Sequence, residues 1–243
     1  MKKYFTLALI IVVLPALSLL YYTVQIADPV DRVFLSISTF LYSIFTGFFI
    51  SRQASRFNKV RETVTKFDGL MSNLYRTSGH VSADLQKDIG QVIKSHYDKI
   101  FKTKRWDYHF ENKSTTLSSI HKLLDEHVKD DAVTKLSNQS IGAMVKGLGT
   151  AQDVRKSMLA LNRERVPFEQ WILIMFFAAM LIGTVSTMDS VGVWWPAILK
   201  AAFVVSVVSV LYILNRLNNL AFTEDLMGSE SARDVLDIVA GVK

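Results

Sequence analysis

The sequence predicts an all-α integral membrane protein, with four transmembrane helices in two terminal pairs and a cytoplasmic helical bundle between them. Half of the 243 residues are hydrophobic, and they concentrate in two blocks near the ends of the chain. The middle is polar and charged, with apolar residues at helical spacing. No segment alternates apolar and polar residues as a half-buried strand does.

Four apolar segments are long enough to cross a bilayer, whose core of about 30 Å requires about 20 helical residues. They are residues 4–22, 33–51, 170–188 and 194–215. The first also fits a secretory signal peptide, because Lys2 and Lys3 precede it. The long uncharged run up to Asp28, without a small-x-small cleavage site, favours an uncleaved helix. Pro167 is expected to open the third span.

Lysine and arginine placement predicts the orientation, since cytoplasmic flanks of membrane helices carry these residues. Residues 52–166 contain 21 lysines and arginines against 13 acidic residues, a net charge of +8 compared with +6 for the whole chain. The short loops contain Asp28, Asp31 and Asp189. We therefore predict a multi-pass protein of the inner (plasma) membrane with both termini cytoplasmic. The charge then favours contact with the lipid bilayer, not with nucleic acid.

The expected domains are residues 1–52 (spans one and two), 53–166 (cytoplasmic helices), 167–216 (spans three and four) and 217–243 (a cytoplasmic tail with a short helix). We expect helices at 33–75, 82–102 and 115–129. A fourth is expected to lead into span three with its apolar side chains, Val145 among them, facing inward. Gly142, Gly147 and Gly149 weaken it and predict a break or kink near residues 147–150, because glycine costs up to about 1 kcal/mol in a helix relative to alanine.

One apolar stripe follows span two directly and has the 3-4-3-4-3 spacing of a heptad seam. Its members are Phe57, Val60, Val64, Phe67, Met71 and Leu74. Such a stripe is typical of a bundle core. Since it continues out of a membrane helix, we interpret it as an oligomer seam between copies of the chain.

Span two carries two neighbouring stripes. The small, weakly polar one predicts close helix packing; it comprises Ser36, Thr39, Ser43, Thr46 and Gly47. The bulky one comprises Phe40, Ile44 and Phe48, at i, i+4 and i+8. If several copies meet at an axis, these three side chains form an apolar neck that gates by dewetting.

Three cations are candidate contacts for an anion or a lipid headgroup: Arg52, Arg56 and Lys200. Lys200 lies inside span four, where a lysine is costly and has a functional role by default. Its place near the end of the span also allows the side chain to extend to the outer headgroups, which is the interpretation we favour.

Catalysis finds no support in the sequence. There is no phosphate-binding loop, nucleophile elbow or metalloprotease motif, and no cysteine. His121 and Asp125 lie one helical turn apart, but they fit the solvated face of an amphipathic helix better than a metal site. We therefore predict a protein that is not an enzyme and has no metal or cofactor.

Three short runs carry a resemblance to a known family. They are FLYSIFTGFFI at residues 40–50, followed by Arg52 and Arg56; RERVPFEQW at 163–171; and LNRLNNLAF at 214–222. Together with the pairing of spans at both ends, they resemble a bacterial bestrophin-like membrane protein family and, more distantly, the bestrophin anion channels. The chain departs from bestrophins at the calcium clasp, for which Glu224 and Asp225 are the nearest counterpart.

The resemblance implies a pentameric, chloride-conducting channel whose second span lines a hydrophobic neck. When Gly47 and Phe48 are matched to the family's second span, the resemblance assigns the neck to Phe40, Ile44 and Phe48. An alternative function is a non-conducting membrane-anchored scaffold or sensor, whose basic cytoplasmic bundle binds a partner or anionic lipid.

Overall fold

The structure, a computed structural model of the chain, describes residues 12–24, 32–103, 106, 115–128, 135–220 and 229–242. Within these ranges every regular element is a helix, which confirms the all-helical prediction. The helices are α1 (Leu14–Thr23), α2 (Arg32–Ser78), α3 (Ala83–Thr103), α4 (Thr116–Val128), α5 (Lys135–Arg163), α6 (Phe168–Ser186), α7 (Trp194–Asn218) and α8 (Ser229–Val239).

Helix α2 is a single helix of 47 residues, about 70 Å long at 1.5 Å per residue. This confirms that the helix of span two continues without a break into the polar middle of the chain. It ends at Ser78, before a turn over residues 79–81. Helices α3 and α4 also begin and end within one residue of the predicted limits.

Of the predicted break or kink in the fourth helix, the break is wrong, because α5 is continuous from Lys135 to Arg163. Met144, Leu148 and Ala151 are buried on its inner face, and this packing outweighs the low helix propensity of glycine. A β-carbon on Gly147 would lie 3.3 Å from a methyl of Leu74. The glycine therefore allows a close approach of α5 to α2.

The inward placement of one residue on α5 is also wrong. Val145 is 47% exposed, since it lies one position beyond Met144 and so points about 100° away from the buried face. The helical period predicted the buried stripe, whereas the rotation of the helix about its axis was set by its neighbours.

Three described helices are long and apolar enough to cross a membrane: α2, α6 and α7. Pro167 is the N-cap of α6, and its carbonyl oxygen accepts hydrogen bonds from the amides of Gln170 and Trp171. The first predicted span begins at residue 4, and residues 1–11 lie outside the described part of the chain. Its described remainder forms α1, with Pro15 in the first turn.

The described residues belong to two compact units. The first unit contains residues up to 55 together with 165–219. In it, α1 packs on α7 around Tyr21, Ala197 and Ala201, and Tyr42 of α2 packs with residues of α6 and α7.

The second unit contains residues 56–164 and those from 220 onward. A hydrophobic cluster of its described residues joins one face of α2 to α3, α4, α5 and α8. The cluster includes Val60, Ile89, Ile93, Ile120 and Met158, each 1% exposed or less. Each of these helices therefore has an apolar buried face, and its polar residues lie on the opposite, outer face.

Candidate pore-lining stripe and buried cations

The three predicted neck residues lie on one exposed face of α2. Phe40 is 65% exposed, Ile44 51% and Phe48 61%. Bulky apolar side chains exposed to this degree bury little surface within their own chain. In a membrane helix such a stripe faces lipid, another copy of the chain, or a pore.

The opposite face of the same segment is polar and buried. Ser38, Tyr42 and Thr46 are 1%, 7% and 3% exposed, and they lie two positions, or about 200°, from the exposed stripe. The Tyr42 hydroxyl donates a hydrogen bond to the Val207 carbonyl oxygen at 3.2 Å. This polar face therefore packs inside the first unit, and the apolar stripe faces away from it.

The small face predicted to pack closely is divided in the structure. Thr46 is buried, and the Thr39 hydroxyl donates to the Leu35 carbonyl oxygen at 2.8 Å. Ser43 and Gly47 are exposed, and a β-carbon on Gly47 would meet no atom of the described residues within 4 Å. Within the described part of the chain, no neighbouring helix therefore packs closely at Gly47.

Lys200 is buried, with 5% of its surface exposed. Its ammonium donates to the Ser186 carbonyl oxygen at 3.2 Å, to the Ser190 hydroxyl at 3.0 Å and to the Met188 carbonyl oxygen. It also lies 4.5 Å from the centre of the Tyr21 ring. The side chain thus turns inward, where it caps the C-terminal end of α6. Contact with an anion or a lipid at Lys200 stays a prediction, and it competes with these bonds.

Further bonds join α1 to the segment between α6 and α7. The Tyr21 hydroxyl lies 2.7 Å from the Ser186 hydroxyl, and the Ser190 hydroxyl donates to the Tyr21 carbonyl oxygen at 2.8 Å. The rings of Tyr22 and Trp194 stack with centres 4.2 Å apart. Lys200 therefore lies at the centre of a polar cluster that connects three elements.

Arg56 has a comparable role in the second unit. It is 3% exposed, and its guanidinium donates to the carbonyl oxygens of Leu161 at 2.6 Å and Asn162 at 2.9 Å. These carbonyls belong to the last turn of α5, where no intrahelical donor remains. Arg52, one turn earlier, is exposed. Anion or lipid contact therefore fits Arg52 better than Arg56.

The residues of the predicted oligomer seam lie in the core of their own chain. Val60, Val64, Phe67, Met71 and Leu74 are 8% exposed or less, and Phe57 packs against the same cluster. Their side chains contact α3, α4, α5 and α8, so this stripe is not a free surface. The large apolar residues that α2 leaves exposed are Phe40, Ile44 and Phe48, together with Val33, Phe34 and Ile37 nearer its start.

Sequence reasoning missed one buried acid. Asp68 is 5% exposed, and its carboxylate accepts a hydrogen bond from the Tyr97 hydroxyl at 2.6 Å and another from the Ser231 hydroxyl. Burial raises the pKa of Asp68 from 3.8 to about 6, although the bonds from Ser231 and Tyr97 act to lower it. The only local signal is an acid directly after Phe67, beside the apolar stripe.

No group of three or more candidate ligands for a metal ion occurs among the residues that the structure describes. The Nε2 atom of His121 lies 3.8 Å from Oδ2 of Asp125, and both side chains are more than half exposed. The proposed counterpart of the calcium clasp, Glu224 and Asp225, lies outside the described residues.

Comparison with known proteins gives two matches. A protein-family model described as a Bestrophin-like domain matches residues 6–221. A crystal structure described as that of a membrane protein superposes with a TM-score of 0.64 and covers 98% of each chain, at 14% sequence identity. At this identity the superposition shows a shared fold alone. A comparison with the curated proteins finds no match.

Proposed function

This chain belongs to the bestrophin-like family of membrane proteins, and on that premise we propose that its copies assemble into an anion-conducting channel. The neck of the channel is the stripe of Phe40, Ile44 and Phe48, brought together around a common axis. The single observation behind this proposal is the exposure of these side chains on a helix whose opposite face is polar and buried. The competing explanation is that lipid alone covers these side chains.

The proposed pore gates by dewetting. A ring of phenyl and sec-butyl groups at the axis excludes water, and an anion cannot shed its hydration there without cost. Pentameric assembly and chloride as the permeant ion are proposals that rest on the family resemblance. The charge of +8 over residues 52–166 supports accumulation of anions on the same side of the membrane.

A chloride-flux assay on the full chain in liposomes tests this function. Phe40→Ala, Ile44→Ala and Phe48→Ala are each expected to raise the flux, because a shorter side chain widens and wets the neck. A barrier lowered by about 1.4 kcal/mol raises the rate about tenfold. The matched controls are Ile172→Ala and Phe176→Ala on α6, which are 54% and 56% exposed and are expected to leave the flux unchanged.

Two results would contradict the channel. One is a wild-type protein that is monomeric in detergent by mass measurement, since a monomer has no common axis. The other is a wild type without flux, or neck variants that conduct no differently from wild type. A non-conducting oligomer would instead favour the scaffold or sensor, whose partner contacts lie in the second unit.

The proposed topology has four spans, with both termini and the second unit in the cytoplasm of the inner membrane. α1 is the described end of the first span, and α2, α6 and α7 are the others. The domain limits at residues 52, 166 and 216 remain part of this proposal. The lysine and arginine bias supports this orientation.

Thiol labelling of intact cells tests the orientation, because the native chain contains no cysteine. Val191→Cys, in the segment between α6 and α7, is expected to react with a membrane-impermeant maleimide. Ser118→Cys, on the exposed face of α4, is expected to react only after the cells are permeabilised. The opposite pattern of labelling would refute the proposed orientation.

A further inference from the structure

The C-terminal helix α8 docks on the second unit through an apolar face. Ala232 and Val235 are 3% and 1% exposed. The Tyr75 hydroxyl donates to the Val239 carbonyl oxygen at 3.2 Å. A β-carbon on Gly90 would lie 3.1 Å from the Tyr75 ring and 3.3 Å from a Val239 methyl, so the glycine leaves room for both. The docking of α8 thus combines the burial of apolar side chains with hydrogen bonds.

One of these hydrogen bonds is accepted by a buried acid. Asp68 of α2 accepts one hydrogen bond from Tyr97 of α3 and one from Ser231 of α8. Among the described residues, no lysine or arginine forms an ion pair with Asp68. A buried carboxylate without a cation is held only by its hydrogen bonds, and its charged form is costly.

Among the described residues, the influences on the pKa of Asp68 are burial and the hydrogen bonds from Ser231 and Tyr97, with no contribution from another charge. On α8, Glu230, Arg233 and Asp234 are exposed, and Asp237 is half-buried. On α3 the titratable neighbour is Tyr97, and beside it His96 lies 2.9 Å from the Thr116 hydroxyl. The side chains that α5 contributes to the core are Met144, Leu148, Ala151, Val154 and Met158. Protonation of Asp68 alone is therefore enough to change the net charge of this site.

We propose that Asp68 is a pH-sensitive latch for the C-terminal helix. The helix is held more tightly when the carboxyl is protonated, and it detaches more readily when the carboxyl is ionised. Detachment separates Ser231 from Asp68 and opens the carboxyl to water, where the ionised form is stable.

The direction of this effect follows from linkage. Burial raises the pKa of Asp68 to about 6 in the docked state, whereas a carboxyl opened to water returns toward its ordinary 3.8. The docked state then binds the proton more tightly, so docking is strongest below pH 4. It weakens as the pH rises through 6, by up to about 100-fold, which is tenfold for each pKa unit.

Hydrogen exchange of the full chain in detergent measures the latch, because it reports opening of α8 even when the docked state predominates. Amides of residues 229–239 are followed between pH 4.5 and 7.5, with rates corrected for intrinsic exchange. In the wild type, the protection factor is expected to fall by one to two orders of magnitude across this range. In Asp68→Asn, which cannot ionise, it is expected to vary less than about threefold.

Two further variants make the result specific. Asp98→Asn removes an exposed carboxyl from α3 and is expected to keep the wild-type pH dependence. Tyr97→Phe removes a hydrogen bond that favours the ionised carboxyl, so the fall in protection is expected to continue to a higher pH than in the wild type. Wild-type protection that does not change with pH, an equal fall in Asp68→Asn, or a fall in Tyr97→Phe that ends at the same pH as in the wild type would each overturn the latch.

Discussion

Replacing Arg56 with methionine is expected to lower the free energy of unfolding by about 2–4 kcal/mol. The side chain is 3% exposed, and it donates to the carbonyl oxygens of Leu161 and Asn162. Methionine fills similar space but offers no donor, so both carbonyls at the end of α5 lose their partner. The positive charge opposite the C-terminal dipole of α5 is lost as well.

Part of this loss is offset, because methionine also removes a charge that is costly to bury. For that reason the expected effect is smaller than the sum of two charge-assisted hydrogen bonds. Titration of the detergent-solubilised protein with SDS, followed by circular dichroism, gives the free energy of unfolding.

Arg61→Met on the same helix is the matched control for Arg56→Met. Arg61 is exposed, so its replacement is expected to change the free energy of unfolding by less than about 0.5 kcal/mol. Equal effects of the two substitutions would show that the hydrogen bonds of Arg56 to the end of α5 do not stabilise the fold.

Replacing Lys200 with methionine is expected to destabilise the first unit by about 2–4 kcal/mol. The ammonium donates to the carbonyl oxygens of Ser186 and Met188 and to the Ser190 hydroxyl. The bonds to Ser186 and Ser190 are buried, so groups that lose the ammonium there find few other donors. The expected result is early loss of the packing of α1 on α6 and α7 during SDS titration.

The neighbouring substitution Leu199→Met serves as the control, since Leu199 is 64% exposed. It introduces the same residue one position away, and it is expected to shift the unfolding transition by less than about 0.5 kcal/mol. If Lys200→Met proved as stable as Leu199→Met, the bonds of Lys200 would contribute nothing to the fold. In that case the side chain would be available for an anion or a headgroup.

The helices were predictable from the sequence because their signals are local. Uncharged runs of about 20 residues identify membrane-crossing helices through the thickness of the bilayer. The 3-4 spacing from Phe57 to Leu74 predicted a helix with one buried face, and α2 has both. The same spacing did not reveal what covers that face. A stripe that meets another copy has the same pattern as one that meets α3, α4, α5 and α8.

By itself, the sequence determined the helical class, the positions of α2, α6 and α7, and the family to which the runs near Phe40, Val166 and Leu214 belong. Only the tertiary structure decided which distant groups meet. Asp68 joins Ser231, Arg56 caps α5, and Lys200 turns back to Ser186. Local periodicity sets which face of a helix is apolar, but partners 14 to 163 residues apart depend on how helices pack.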